Sequence, residues 1–127
     1  MRYLILFAAF GMAACVEEPK DGRALYLENC ASCHAVDASG NGPVARELGV
    51  TAPDLTMISA RNGGVFPRDD IMSIIDGLNR EPHFSAAMPE FGAGDMGETV
   101  IVENEELGTP VPLQLLELTD YLETLQK

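Results

Sequence analysis

Cys30-Ala31-Ser32-Cys33-His34 constrains this chain more than any other stretch. Two thiols three positions apart, followed at once by an imidazole, place two sulfur nucleophiles and a nitrogen donor on one short segment. Three chemistries use such a pair. A thioredoxin-type redox pair sits beside a βαβ pattern, and none is present. A zinc site takes about four ligands, and the sequence has no second C-x-x-C and no H-x-x-x-H. The third reading is attachment of a c-type haem, with Cys30 and Cys33 forming thioethers to its two vinyl groups and His34 ligating the iron from one side. A single motif implies one haem c per chain. The remaining sequence must then supply a second axial ligand and an apolar wall.

Residues 1–14 read as a leader. Met1-Arg2 carries one positive charge, Tyr3 to Ala14 is apolar throughout, and Cys15 follows. The run is short of the roughly 20 apolar residues of a membrane span. Met12-Ala13-Ala14-Cys15 is similar to a bacterial lipobox, in which the Cys becomes the acylated first residue; the alternative is ordinary cleavage after Ala14, leaving a free N-terminal Cys15. The lipoprotein reading also accounts for an unpaired Cys in an exported chain. The expected organisation is a lipoprotein-type signal peptide over 1–14, a linker over 15–20 and one domain over 21–127. Either form of cleavage exports the chain, and the expected location is the bacterial periplasm, with membrane anchoring through lipid on Cys15.

Without its leader the chain is one small domain with little spare core, so a haem would supply much of the apolar interior. Loss of Arg2 takes the formal charge from −12 to −13. A surface of that sign disfavours nucleic acid and anionic lipid headgroups. It attracts redox partner proteins with basic docking faces, or serves only to keep an exported protein soluble.

A first helix is expected from Asp21, a good N-cap, into the haem motif. Gly22, Tyr26, Cys30 and Cys33 share one face of it. Residues 35–68 are rich in Gly, Pro, Asn and Asp and read as loop. A second helix is expected over Asp69–Leu78, with Asp69 and Asp70 at the positive end of its dipole and Ile71, Ile74, Ile75 and Leu78 on its apolar face. Residues 79–97 return to loop. Thr99–Val102 is β-like and suggests a small hairpin ahead of a last helix that opens near Pro112. Leu115, Leu118, Leu122 and Leu125 form the stripe of that helix, and Glu117, Asp120 and Glu123 its wet side.

The second iron ligand comes from Met57, Met72, Met88, Met96 or His83. Met72 falls beside the buried stripe, where methionine fills core gaps. Met57 lies too soon after His34 to cross easily to the opposite face. Met88 precedes Pro89, which stiffens the backbone there and presents the thioether on a rigid loop. Met88 is therefore the favoured ligand, with Met96 the main alternative and His83 behind it.

These features resemble the bacterial monohaem members of the class I c-type cytochromes over nearly all of residues 21–127. Gly22 to Tyr26 is similar to the family's N-terminal helix, Pro53-Asp54-Leu55-Thr56 to a segment of bacterial members, and Met88-Pro89-Glu90-Phe91-Gly92 to their distal methionine motif. Thr119-Asp120-Tyr121-Leu122 is similar to the C-terminal helix, which in the family crosses the N-terminal one near Gly22. Gly40-Asn41-Gly42-Pro43 resembles the proximal loop, and the resemblance implies that the Pro43 carbonyl accepts a hydrogen bond from the His34 imidazole. The implied fold is mainly α, the cytochrome c fold, with three or more helices and long loops around one covalent haem. The departure is the long acidic stretch from about Gly94 to Val111. Arg61 and Arg80 are cations that either pair with haem propionates or are simply solvated.

The function implied is one-electron transfer in a respiratory or dehydrogenase-linked chain, by a free carrier or a redox subunit of a larger complex. No acid/base pair or nucleophile constellation that would mark an enzyme accompanies the motif. The rival class is a gas-binding sensor or peroxidase-like haem protein, which needs a displaceable distal ligand.

Overall fold

The computed structural model describes residues 21–78, 87–94, 96–104 and 107–127. The leader, Cys15, the linker, Arg80 and His83 lie outside the described residues. Helix α1 (Gly22–Asn29) starts where Asp21 Oδ1 accepts a hydrogen bond from the Ala24 N–H at 2.7 Å, satisfying one of the donors a helix start leaves open. Cys30 ends α1 and opens the short α2 (Ala31–His34). The expected single helix into the motif is therefore two helices in near succession.

Residues 35–68 hold more regular structure than their turn formers suggest. Helix α3 (Pro43–Leu48) begins with proline at its first position and ends at Gly49 in the left-handed conformation, the usual pairing of start and stop. A 3₁₀ turn at Leu55–Met57 leads into α4 (Ile58–Arg61). These helices have four to six residues, below the length at which apolar periodicity becomes readable.

Helix α5 (Arg68–Asp76) carries Asp69 and Asp70 in its first turn, as expected, and buries Met72 and Ile75. Its expected stripe fails at one end. Gly77 adopts φ 97° and stops the helix, so Leu78 leaves the helical phase and is 81% exposed. A second 3₁₀ turn spans Phe91–Ala93. Strands β1 (Thr99–Asn104) and β2 (Leu107–Pro112) pair antiparallel, Val100 with Val111 and Val102 with Thr109, giving the expected hairpin. Helix α6 (Leu113–Thr124) follows directly and buries Leu115, Leu118, Thr119 and Leu122. Six α-helices and one two-stranded sheet thus make the described residues mainly helical.

The core is the contact of α1 with α6, joined by α5. Leu25, Tyr26, Leu118 and Leu122 are all buried there, and the rings of Tyr26 and Tyr121 lie 5.6 Å apart at 50°, a tilted contact that aromatic pairs favour. Arg68 on α5 pairs with both Asp120 and Glu123 on α6. The two helices cross at Gly22, where a Cβ would stand 1.9 Å from the Glu117 carbonyl oxygen and 2.8 Å from Tyr121 Cβ. Only hydrogen fits in that space, so the sequence expectation of a close approach at Gly22 holds. Gly22→Ala is expected to lower the unfolding free energy by about 2–3 kcal/mol, the scale of an overpacked contact. Urea denaturation measures it, and a loss below about 0.5 kcal/mol would mean the crossing opens freely.

Candidate functional site

Between α1, α2, the loop after α3, α5 and the segment around Met88 lies a cavity of about 890 Å³. Cys30, Cys33 and His34 stand in its wall together with Leu25, Ile58, Ile71, Ile74, Ile75, Phe91 and Leu122. Ile71 and Ile74 are only half-buried, because part of the α5 stripe faces this space rather than packed protein. A volume this large and this apolar is at the upper end of small-molecule pockets.

Both motif thiols are half-buried and not disulfide-bonded. Burial, then the neighbouring Cys33, push the Cys30 thiol up to about 11, since low polarity disfavours the thiolate. Tyr26 fixes the motif from behind, its hydroxyl donating to the Ala35 carbonyl at 2.6 Å. Its phenol pKa is raised well above the ordinary value, chiefly by burial and next by Cys30.

His34 is buried, with Nδ1 3.2 Å from the Pro53 carbonyl oxygen. A carbonyl only accepts, so the proton of the neutral ring is on Nδ1 and Nε2 keeps its lone pair. Burial lowers the imidazole pKa, and the bond to Pro53 opposes that partly. The acceptor expected here was the Pro43 carbonyl; the structure places Pro53 against the ring instead. Pro43 is the first residue of α3, whereas the chain after α3 folds back beside the motif. Gly40 permits that return: its φ is +93°, and a Cβ would lie 2.3 Å from the Ala52 carbonyl oxygen and 2.8 Å from the Pro53 carbonyl carbon. Backbone bonds from Gly40 N–H to the His34 carbonyl at 3.0 Å and from Leu55 N–H to the Ala38 carbonyl at 2.8 Å hold the layers together.

Opposite in sequence, Met88 and Met96 both reach the cavity wall. Met88 is half-buried, and Met96 is buried and packed in the core cluster. Met57 is 37% exposed and Met72 lies in the core, and neither lines the cavity. Arg61 does line it, with one guanidinium N–H donating to the Asp54 carbonyl at 2.9 Å. The Asp54 carboxylate accepts from the Thr56 hydroxyl and N–H at 2.7 and 2.9 Å, which hold it below the usual carboxylate range. Among the described residues no three His, Cys, Asp or Glu side chains cluster as a metal site.

Sequence reasoning missed two alanines with positive φ just after the motif, Ala35 and Ala38. Ala35, directly after His34, has φ 65° and ψ 162°, a region that essentially only glycine enters without cost. Ala35→Gly is expected to stabilise the protein by about 1 kcal/mol or more; a neutral or lower melting temperature would show that Ala35 carries no strain.

The family model described as "Cytochrome C oxidase, cbb3-type, subunit III" matches residues 17–103. No curated protein and no solved structure matches the chain. The family implies covalently bound haem c, and the residues present fit it: the two thiols and the imidazole stand together in one wall of a large apolar cavity. Two-thirds of the sequence and the chemistry of this wall thus agree, and the chain belongs to the cbb3-type cytochrome c oxidase subunit III family, a c-type cytochrome domain suited to haem-based electron transfer.

Proposed function

We propose that this protein passes single electrons between redox partner proteins through a haem c held by Cys30 and Cys33 and ligated by His34 and Met88, with the described helices and loops wrapped around it. The observation that carries the reading is that both thiols, the His34 imidazole and the Met88 side chain line one cavity. When bound, the haem supplies a reversible one-electron change at its iron. The protein's part is to orient and to exclude water. Pro53 holds the His34 ring in the tautomer that leaves Nε2 unprotonated. Met88 offers a neutral thioether on a segment stiffened by Pro89, and Met ligation favours a higher potential. The apolar side chains of α5 keep water from the cavity, and Arg61 at its edge is suited to a haem carboxylate.

The domain works outside the cytoplasm, released from the leader over residues 1–14 and tethered through acylated Cys15 and the 15–20 linker. No described helix is long and apolar enough to cross a membrane. A formal charge of −12 for the whole chain suits partners with basic faces, with association rates that fall as salt rises. The family description names an oxidase subunit, which favours a second reading in which the same chemistry serves a permanent complex. Co-purification of a partner after detergent extraction supports it, and a solely monomeric product counts against it.

In holoprotein, Met88→Ala is expected to turn the spectrum high-spin and to bind CO where the wild type does not. Met96→Ala is expected to stay low-spin while losing about 2–5 kcal/mol of stability, as for other buried methionines. The reverse pattern would make Met96 the ligand, and ready CO binding by the wild type would move the sensor reading to the front. Intact mass of the mature chain is expected to show an acylated Cys15, and an unmodified Cys15 removes the anchor.

A further inference from the structure

We infer that Gln126 is a positioning residue for His34, acting through the segment that follows Pro53. The inference rests on the reading of His34 as an iron ligand. The Gln126 side chain satisfies three backbone groups at once. Its amide N–H groups donate to the Leu55 carbonyl at 2.9 Å and the Leu122 carbonyl at 2.7 Å. Its Oε1 accepts from the Ser59 N–H at 2.9 Å. Both N–H donors and the carbonyl oxygen are thereby engaged, and they bridge the last turn of α6 to the first residue of the 3₁₀ turn that begins two residues after Pro53 and to Ser59 in α4 just beyond that turn. The neighbouring Lys127 N–H adds a bond to the Thr56 carbonyl at 3.1 Å.

From the other side the segment is held by Leu55 N–H on Ala38 and by Arg61 on the Asp54 carbonyl. Gln126 closes the remaining side. The Pro53 carbonyl meets His34 at 3.2 Å, at the long end of the normal range, where a small displacement weakens the bond. A firm Nδ1–H···O bond makes the imidazole a stronger donor to a bound metal. A stronger donor favours the oxidised iron, so slackening the segment raises the potential.

The test compares Gln126→Met, close in length but unable to make these bonds, with Leu125→Ala, which removes apolar packing against the core at the end of α6 and leaves the Gln126 amide in place. Both are made as haem-loaded protein. Midpoint potential is read by spectroelectrochemistry, and exchange of the His34 Nδ1 proton by NMR of the ferrous form. Gln126→Met is expected to raise the potential and to speed that exchange about fivefold, the scale of one lost hydrogen bond. Leu125→Ala is expected to lower stability with both readouts at wild-type values. A Gln126→Met protein that is only less stable, or a Leu125→Ala protein that shifts the readouts equally, overturns the inference while leaving the ligand reading intact. A wild type with no iron-bound imidazole resonance overturns both.

Discussion

A histidine ring sits in a defined pose only when its second nitrogen is held, and here a single carbonyl holds it. The His34–Pro53 contact joins the C-x-x-C-H segment to a stretch of chain nearly twenty residues later. Much of the surrounding loop exists to deliver that oxygen. Gly40 bends to admit residues 52 and 53, Asp54 caps the turn that follows, and Arg61 and Gln126 tie its flanks. The stretch carries only the short α3 and α4 and one 3₁₀ turn, and its backbone bonds from Gly40 and Leu55 hold it beside the C-x-x-C-H segment.

The cavity imposes a second constraint. A chain of 127 residues that encloses about 890 Å³ has fewer side chains left to pack against one another. The direct core is correspondingly concentrated where α1 and α6 touch. Apolar residues that would fill a core elsewhere, such as Ile71, Ile74 and Phe91, border the cavity instead. The same split explains why, of the α5 stripe, Ile75 is buried with Met72 beside it while Ile71 and Ile74 are only half-buried.

Features written in local chemistry were legible in the sequence. The haem motif, the Asp21 cap, the acidic first turn of α5, the hairpin and the α6 stripe each depend on residues close together in the chain. What stayed hidden depends on return of the chain from a distance. Pro43 and Pro53 both lie in a turn-rich stretch, and only the folded path decides which carbonyl meets His34. Helices α3 and α4 are too short to show a period. Leu78 matched the apolar pattern, but the left-handed turn at Gly77 came first. Gln126 gave no signal, because an amide beyond the last helix turn has no pattern of its own. Met88 and Met96 share the cavity wall, Met57 and Met72 do not line it, and His83 lies outside the described residues.

The crossing at Gly22 also bears on the order in which this chain assembles. Gly22 and Glu117 are separated by about 95 positions, and closing a flexible loop of that length costs about 4 kcal/mol plus a constant. Contacts so far apart in sequence form slowly unless something shortens the search. A group bonded to Cys30 and Cys33 that also touched the α5 residues of the cavity wall would divide the one long loop into shorter ones, each less costly to close. An occupant in place before the two helices meet would therefore ease the closure at Gly22, where only hydrogen fits between the backbones.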